Sequence, residues 1–444
     1  MSGHNVVVLI LDSLRKDRVS VYNEEVSFTP NMESIADDST VYLNANAQAP
    51  WTLPSVTSIF TGKYPWEHGA THGKGFYEGS DKLLAERFRE EGYNTKLVTP
   101  NVWMSETIGN TDGFQEVQNF LGVAENKHLK KIISLTNKYF SKLPKTLRKN
   151  VMKAVTELDA RILSEHNNID PERTISKAEE FISDLSDEKF FLVVNTLSPH
   201  EPYDRGNPPE EYIEKHGVDP EKVPSTEKEF FRSDSDEEEL KKAYDAAADY
   251  TDDLVGRLNQ AITENELEED TVFVIMSDHG QALCEDGLFG HQFTLMDSVI
   301  ETPLIVKSPE EHRDQVEEIF ELRQLYDLIP ALAGITNKKV EPLGESRGGY
   351  EFPDSYISVA PKEKREELDR KLRYYRNTEY KVTKSETRSG KTFYEARKED
   401  NQKIEPTEEM KKRVDEISSD KAETSEEIDR DEEVKERLEK LGYR

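Results

Sequence analysis

The amino-acid sequence predicts an α/β fold with a mostly parallel central sheet, followed by a small C-terminal α+β unit. Apolar runs rich in β-branched residues recur along the chain, and such runs are typical of strands buried on both faces of a parallel sheet. Helical patterns lie between the runs, which is the order expected for strands joined by helical crossovers. After about residue 345, short strand patterns separated by turns indicate an antiparallel sheet instead.

The predicted strands and helices alternate from the N-terminus onward. The first strand is the run VVVLIL at residues 6–11, and similar runs follow at 95–99, 190–197, 271–277 and 303–306. Helices are predicted at 29–39, 82–92, 238–262 and 322–335. We expect Pro330 to interrupt the last of these helices, because proline lacks a backbone donor.

The change of pattern predicts two domains, an α/β domain at 1–344 and a smaller α+β domain at 345–444. The smaller domain is expected to contain strands in SYISVA, LRYYRNTEYKVTK and KTFYEARK, and to end in an acidic helical tail from about 406. Within the larger domain, a basic helical insertion is expected at about 120–180.

Composition limits the class of function. The chain has 444 residues with 59 basic and 90 acidic side chains, which give a net charge of −31. This excess opposes binding to nucleic acid, which requires a cationic surface. The single cysteine, Cys284, excludes an internal disulfide framework and fits a reducing compartment. Because the N-terminal apolar run is too short for a signal peptide or a membrane span, we expect a cytoplasmic protein.

One segment opposes the overall charge. Residues 127–153 contain nine Lys or Arg residues and no acidic residue, with apolar residues interleaved. One interpretation is a solvated amphipathic helical insertion. The other is a cationic flap over an anionic substrate, or a peripheral contact with an anionic membrane surface.

Polar residues with metal-binding chemistry follow several predicted strands. Asp12 comes directly after the first strand, and the Asp278-His279 pair follows the strand at 271–277. Ligands gather at the carboxyl ends of parallel strands, so these side chains are expected to meet. Carboxylate and imidazole ligands suit zinc or manganese, whereas a carboxylate-rich shell admits calcium or magnesium. Each residue taken singly could equally be a turn or cap residue.

Two further histidines lie in irregular segments. His200 stands between two prolines in SPHEPYD, directly after the strand at 190–197. His291 follows two glycines in GLFGHQ, where the backbone can approach an anion closely. A histidine at either place is more often structural than catalytic when considered alone.

Thr52 lies in APWTLPSVTSIFTG, just before a predicted helix. A structural interpretation makes it the N-cap of that helix, with Pro54 in the first turn. A functional interpretation makes it a nucleophile, held where helix amides stabilise an anion. A cation, a hydroxyl group and histidines together are the components needed to transfer a tetrahedral oxyanion group.

The ordered set of segments resembles the sulfatase family of the alkaline phosphatase superfamily. The resemblance covers nearly the whole chain and implies a large α/β domain followed by a small domain with an antiparallel sheet. The segments that carry it are NVVVLILDSLRKD, TPNMESIADDSTVYLNANAQAPWTLPSVTSIFTGKYPWEHG, LLAERFREEGYNTKLV, SPHEPYD, YDAAADYTDDLVGRL, SDHGQALCEDGLFGH, ETPLIV, RNTEYKVTK and TFYEARKEDN.

The chain departs from the usual pattern of that family at several positions. Thr52 replaces the Cys or Ser that is converted to formylglycine, and Val56 replaces the arginine of the same motif. Ser13 replaces a second aspartate, Pro100-Asn101 replaces a lysine, and His291 replaces another lysine. These differences argue against a formylglycine mechanism.

Threonine nucleophiles occur elsewhere in the superfamily, in phosphodiesterases and phosphoglycerol transferases. The resemblance to those enzymes implies one divalent ion held by Asp12, Thr52, Asp278 and His279. His200 and His291 would then contact the substrate oxygens, and Asp252 would be a helper residue. The implied substrate is an anionic sulfate or phosphate ester of a glycan, a lipid or a metabolite. The alternative is an inactive relative that binds an anionic glycan or lipid headgroup.

Overall fold

The chain forms an eight-stranded sheet covered by helices on both faces and a separate five-stranded antiparallel sheet near its C-terminus. The computed structural model describes residues 3–72, 75–105, 108–120, 171–203, 207–233, 235–309 and 315–417. The predicted fold class is therefore confirmed. The basic segment at 127–153 and most of the predicted acidic tail lie outside the described residues.

The large sheet contains eight strands, numbered in chain order. They are β1 (Asn5–Leu11), β2 (Thr40–Tyr42), β3 (Asn94–Thr99), β4 (Glu116–Asn119), β5 (Phe190–Thr196), β6 (Thr271–Met276), β7 (Leu304–Lys307) and β8 (Gln315–Val316). Their order across the sheet is β8-β2-β7-β6-β1-β5-β3-β4, and β7 runs antiparallel to both of its neighbours. The five strands β6-β1-β5-β3-β4 are parallel to one another.

The central strand β1 is buried on both faces, as its continuous apolar run predicts. Val6, Val8 and Ile10 pack into the hydrophobic core on one face of the sheet. Val7, Leu9 and Leu11 alternate with them and pack into a second core on the opposite face. The alternation follows from the two-residue period of a strand. The carboxyl end of β1 therefore lies in the middle of the molecule.

Twelve described α-helices are numbered here in chain order. They are α1 (Pro30–Ala36), α2 (Thr52–Thr61), α3 (Pro65–His68), α4 (Leu84–Glu90), α5 (Pro171–Asp184), α6 (Glu210–Lys215), α7 (Glu227–Phe230), α8 (Glu237–Glu264), α9 (Asp297–Ile300), α10 (Leu325–Leu332), α11 (Arg365–Leu368) and α12 (Glu408–Glu416). The long helix α8 packs against α5, α1 and α6 on one face of the large sheet. Helix α2 packs against α4 and α10. Among these described helices, none combines the length and apolar character needed to cross a membrane.

The second sheet is antiparallel throughout. Its strands, in spatial and chain order, are β9 (Glu345–Tyr350), β10 (Arg370–Asn377), β11 (Tyr380–Thr387), β12 (Thr392–Lys398) and β13 (Lys403–Ile404). Helix α12 packs against β10 and β11. A sheet of this kind is expected for the smaller predicted domain, whose boundary at residue 345 stays a prediction.

Two local predictions are wrong. The segment SYISVA forms part of a 3₁₀ helix at Asp354–Val359 instead of a strand. Asp354 has a φ of 47°, and the Tyr356 amide donates to the Pro353 carbonyl at 2.9 Å, so the chain turns there. Helix α10 also continues through Pro330. The Tyr326 carbonyl, four residues earlier, accepts a hydrogen bond from the Arg87 guanidinium, which replaces the donor that proline lacks.

A network of charged side chains joins the C-terminal sheet to the large domain. The Lys16 ammonium lies 2.8 Å from Glu301 Oε2, and Arg376 of β10 pairs with the same carboxylate. Lys381 of β11 pairs with Asp297. Burial alone would raise the pKa of Glu301, but the charges of Arg376 and Lys16 outweigh burial and lower it to about 2.

We predict that Glu301→Gln lowers the free energy of unfolding by about 1–3 kcal/mol at pH 7, because Lys16 and Arg376 lose their shared carboxylate. A lowered pKa stabilises the fold above the ordinary value of 4.5, and this contribution disappears as pH falls towards 2. Urea unfolding should therefore show a shallower loss of stability below pH 4.5 in the variant than in the wild type.

Glu268→Gln is the matched control, because Glu268 forms a surface ion pair with Lys307 at 2.9 Å. That variant should lose less than about 1 kcal/mol. Equal losses in the two variants would show that the Glu301 network contributes no more than a surface pair.

Candidate active site

The carboxyl ends of two neighbouring parallel strands bring three metal-binding side chains together. Asp12 follows β1, and Asp278 and His279 follow β6, which pairs with β1 in parallel register. The Asp12 amide donates to the carbonyl of Thr196, the last residue of β5, at 3.0 Å. The side chains of Asp12, Asp278 and His279 are completely buried.

These three side chains face one another. The Nε2 atom of His279 lies 3.7 Å from Asp12 Oδ1 and 3.4 Å from Asp278 Oδ2. One possible ligand atom from each residue lies within 4.8 Å of the other two. His279 Nδ1 donates to the Gly280 carbonyl at 2.9 Å. That hydrogen bond fixes the tautomer and leaves the Nε2 lone pair directed at the carboxylates.

Thr52, the first residue of helix α2, brings its hydroxyl group to the same cluster. Its Oγ1 lies 3.4 Å from Asp12 Oδ2 and 3.4 Å from His279 Nε2. The N-cap position belongs to Trp51, and no side chain caps this helix. Thr52 therefore does not act as the N-cap, contrary to the structural interpretation of the sequence. Ser55 Oγ donates to the Asp278 carbonyl at 2.6 Å and fixes the helix against the Asp278 turn.

Two polar residues that sequence reasoning did not assign hold the aspartates. Asn101 Nδ2 donates to Asp12 Oδ2 at 2.7 Å, and the Asn101 amide donates to Thr99 Oγ1 at 2.9 Å. Ser13 Oγ donates to Asp12 Oδ1 at 3.1 Å, and the Ser13 amide reaches Asp278 Oδ1 at 3.5 Å. Asn101 follows β3 as Asp12 follows β1, so its place at a strand end was the available signal.

Two buried aspartates determine the electrostatics of this site. Within the described parts of the chain, no Lys or Arg pairs with Asp12 or Asp278, and Asp278 Oδ2 has no hydrogen-bond partner. Burial and then the charge of Asp12 raise the pKa of Asp278. Two carboxylates, an imidazole nitrogen and a hydroxyl oxygen are together a suitable ligand set for a divalent cation.

His200 and His291 lie beside this group and form a second cluster with Glu201. The ring centre of His291 lies 4.6 Å from that of His279 and 5.2 Å from that of His200. His200 Nδ1 donates to the Glu201 carbonyl at 2.6 Å and lies 3.4 Å from Glu201 Oε2. One possible ligand atom from each of His200, Glu201 and His291 lies within 4.8 Å of the others. Glu201 lies in the segment SPHEPYD, where no sequence pattern indicates a role for it.

The two histidines differ in charge. Burial disfavours the charged form of His200, but the carboxylates of Glu201 and Asp12 outweigh this effect and raise its pKa to about 9. Burial and the neighbouring imidazoles of His279 and His200 lower the pKa of His291 well below its ordinary value. His291 Nδ1 has no hydrogen-bond partner among the residues described. The pair thus presents one charged and one neutral imidazole.

Asp252, expected to assist the site, has a different role. Its carboxylate accepts from the amides of Asn31 and Met32, each at 2.8 Å, and from Asn31 Nδ2 at 2.9 Å. It therefore caps the N-terminal end of helix α1, and its expected role as a helper is wrong. Val56, which stands where the family motif has arginine, is buried in the hydrophobic core.

A family model and individual relatives of this chain are all described as sulfatases. A family model described as Sulfatase matches residues 4–338. The uncharacterized sulfatase YidJ of Escherichia coli is 23% identical over 385 residues, which cover 77% of this chain and 70% of the relative. The ulvan-active sulfatase of Formosa agariphila is 24% identical over 345 residues, which cover 76% and 62%. The chain thus spans 62% of the second relative's length.

Solved structures share the fold. The phosphonate monoester hydrolase of Agrobacterium radiobacter superposes with a TM-score of 0.59 at 18% identity, covering 89% of each chain. The yidJ protein of Bacteroides fragilis superposes with a TM-score of 0.64 at 16% identity, covering 100% of this chain and 97% of its own. At these identities the similarity establishes the fold alone.

Gly280 is required by close packing behind His279. A Cβ atom at this position would lie 2.1 Å from the Ser298 carbonyl oxygen. The Gly280 amide donates to the Val299 carbonyl at 2.8 Å, so the backbone cannot move away freely. We predict that Gly280→Ala lowers the free energy of unfolding by at least about 2 kcal/mol, measured by urea denaturation.

Gly69→Ala is the control for this prediction. Gly69 has a φ of 73° and no atom within 4 Å of the added Cβ, so only backbone strain opposes alanine there. The expected loss is about 1 kcal/mol. A loss at position 280 no larger than at position 69 would contradict the packing argument.

Proposed function

Because the chain belongs to the sulfatase family, whose enzymes hydrolyse sulfuric and phosphoric esters, we propose that it is a metal-dependent ester hydrolase with Thr52 as nucleophile. The observation that carries this proposal is the position of Thr52 Oγ1, 3.4 Å from both Asp12 Oδ2 and His279 Nε2. A buried hydroxyl at a helix start, beside unbalanced carboxylates, is suited to attack on an electrophilic sulfur or phosphorus.

Asp12, Thr52, Asp278 and His279 would hold one divalent ion. Two buried carboxylates that pair with no Lys or Arg among the described residues, and the unpartnered Asp278 Oδ2, support this assignment. A bound divalent ion would lower the pKa of a coordinated hydroxyl and neutralise charge on the ester oxygens. The mixed oxygen and nitrogen ligands suit zinc or manganese and also admit calcium or magnesium.

The reaction proposed for these residues has two steps. Thr52 Oγ1 gives its proton to the Asp12 carboxylate, 3.4 Å away, and forms a bond to sulfur or phosphorus, while the bond to the leaving alcohol breaks. His200, in its charged form, contacts the ester oxygens and donates a proton to the leaving oxygen. In the second step the neutral His200 accepts a proton from water, whose oxygen bonds to sulfur or phosphorus as the bond to Thr52 breaks, and Asp12 returns its proton to Thr52 Oγ1. His291, in its neutral form, accepts or donates hydrogen bonds at the nonbridging oxygens.

Formylglycine has no place in this mechanism. The Cβ of threonine carries a methyl group, so oxidation at that carbon gives a ketone and not an aldehyde. We therefore propose that Thr52 acts unmodified. The hydroxyl chemistry favours phosphate or phosphonate esters, and sulfate esters remain included because of the family.

The charges of the active-site side chains limit the charge of the ester that can bind. In the described residues, no Lys or Arg forms an ion pair with Glu201, Asp12 or Asp278. A site with this balance favours a singly charged ester, such as a sulfate monoester, a phosphodiester or a phosphonate monoester, over a doubly charged phosphate monoester. The ulvan-active sulfatase supports a sulfated glycan as one substrate class. Phosphorylated glycans, lipids and metabolites are further substrate classes within the proposal.

We predict that the wild type binds about one divalent ion per chain and that Asp278→Asn abolishes binding, because the variant removes one of two ligand carboxylates. Metal content is measured by mass spectrometry after dialysis against manganese, zinc or calcium. Asp252→Asn is the control, because it removes another buried carboxylate that lies at a helix N-terminus.

The number of ions bound per chain tests the single-ion proposal. Two ions per chain would place a second ion at His200, Glu201 and His291 and would contradict the single-ion proposal. Failure of the wild type to bind any ion would remove the hydrolase proposal and leave the inactive binding protein in its place.

We predict that Thr52→Val lowers kcat/KM by at least about 1,000-fold, because valine keeps the shape and removes the nucleophilic oxygen. Aryl sulfate, aryl phosphate, phosphodiester and phosphonate monoester substrates are assayed with each metal. Thr57→Val is the control on the same helix, since the buried Thr57 hydroxyl has no hydrogen-bond partner among described residues.

Mass spectrometry of the peptide spanning 49–62 completes this test. An unmodified threonine in the resting protein and a substrate-derived adduct on Thr52 are expected. Full activity in Thr52→Val would exclude Thr52 as the nucleophile.

A further inference from the structure

Glu227 is a buried carboxylate that packs against the segment carrying His291. It begins helix α7, and its residue is 3% exposed. A Cβ at Gly290 would lie 2.1 Å from Glu227 Oε1, so only glycine allows this approach. The Gln292 backbone amide lies near the Glu227 carboxylate and lowers its pKa, although burial outweighs this effect. Glu227 thus lies against Gly290, the residue before His291, and near Gln292, the residue after it.

Tyr356 completes this contact from the C-terminal part of the chain. Its hydroxyl donates to Glu227 Oε2 at 2.7 Å. The Tyr356 ring also packs against Phe293, with ring centres 5.8 Å apart, and against His72 at 6.0 Å. Three segments that are distant in sequence therefore meet at Glu227.

His291 needs such external support. Its Nδ1 has no hydrogen-bond partner in the described structure, so a side-chain hydrogen bond at that atom does not orient the ring. The flanking backbone is unusual, with φ values of 91° at Gly290 and 66° at Phe293. Backbone in these conformations persists only when surrounding contacts determine it.

The electrostatic surroundings also indicate a positional role. Burial and the neighbouring carboxylate of Glu201 raise the pKa of Glu227 to about 8. A buried acid of this kind is costly to the fold. Its hydrogen bond to Tyr356 and its close approach to Gly290 both bear on the His291 segment and give the carboxylate a use there.

We propose that Glu227 is a positioning residue that holds His291 in its catalytic orientation, and that Tyr356 fixes Glu227. The inference rests on the proposed role of His291. It adds a dependence of the active site on the segment at 354–359, which lies more than 60 residues after His291 in the sequence.

The test compares Glu227→Gln, Tyr356→Phe and the control Tyr394→Phe. Tyr394 donates to the Asp415 carboxylate at 2.9 Å in the C-terminal sheet, so the control removes an equivalent hydroxyl away from His291. We expect Glu227→Gln to lower kcat about tenfold with KM within about threefold, because the neutral amide accepts the Tyr356 hydrogen bond less strongly and changes the packing against Gly290. Tyr356→Phe should give a smaller loss, and Tyr394→Phe none.

Coupling to His291 separates positioning from general destabilisation. In a His291→Ala background, Glu227→Gln should cause no further loss of kcat. Manganese content should equal that of the wild type. A change in KM alone would instead make Glu227 a substrate contact, and an undiminished loss in the His291→Ala background would overturn the proposal.

A readout without turnover keeps this test separate from the proposed function. The side-chain ¹⁵N shifts of His291 should change in Glu227→Gln and Tyr356→Phe and stay constant in Tyr394→Phe. Shifts that change as expected in a protein with no hydrolase activity would support the positioning role while rejecting the reaction. Unchanged shifts in both variants would reject the positioning role, whatever the activity.

Discussion

Two carboxylates buried side by side are the constraint on which this structure depends. Asp12 and Asp278 follow adjacent parallel strands, so the topology of the sheet brings them together, and both side chains are completely buried. Nearby charges of the same sign, with little solvent to screen them, oppose folding unless something compensates. The protein supplies neutral donors from Asn101 and Ser13. The divalent ion proposed for this site would balance the remaining charge.

The support around this centre comes from distant parts of the chain. Ser55 ties helix α2 to the Asp278 turn, and Ser298 closes against Gly280 behind His279. Further out, Glu301 draws Lys16 and Arg376 together across the junction with the C-terminal sheet. The C-terminal sheet is thus joined by charge to the segment that follows Asp12.

The sequence predicts the inner part of the site better than its surroundings. Asp12 and Asp278 are found because each ends a run of apolar residues, and burial on both faces leaves a clear signature. Asn101 also ends a strand, but a single amide does not reveal which group it will bond. Glu227 and Tyr356 are 129 residues apart, and no local pattern encodes such a pair. Periodicity reports burial, whereas long-range hydrogen bonds depend on the completed packing.

The central place of β1 has a consequence for biosynthesis. Its two neighbours in the sheet are β5 and β6, which begin at Phe190 and Thr271. Since 178 residues separate Leu11 from Phe190, β1 leaves the ribosome long before either of its edges finds its native partner. During that interval the run VVVLIL is an apolar segment with unpaired backbone groups, the kind of sequence that chaperones shield in nascent chains.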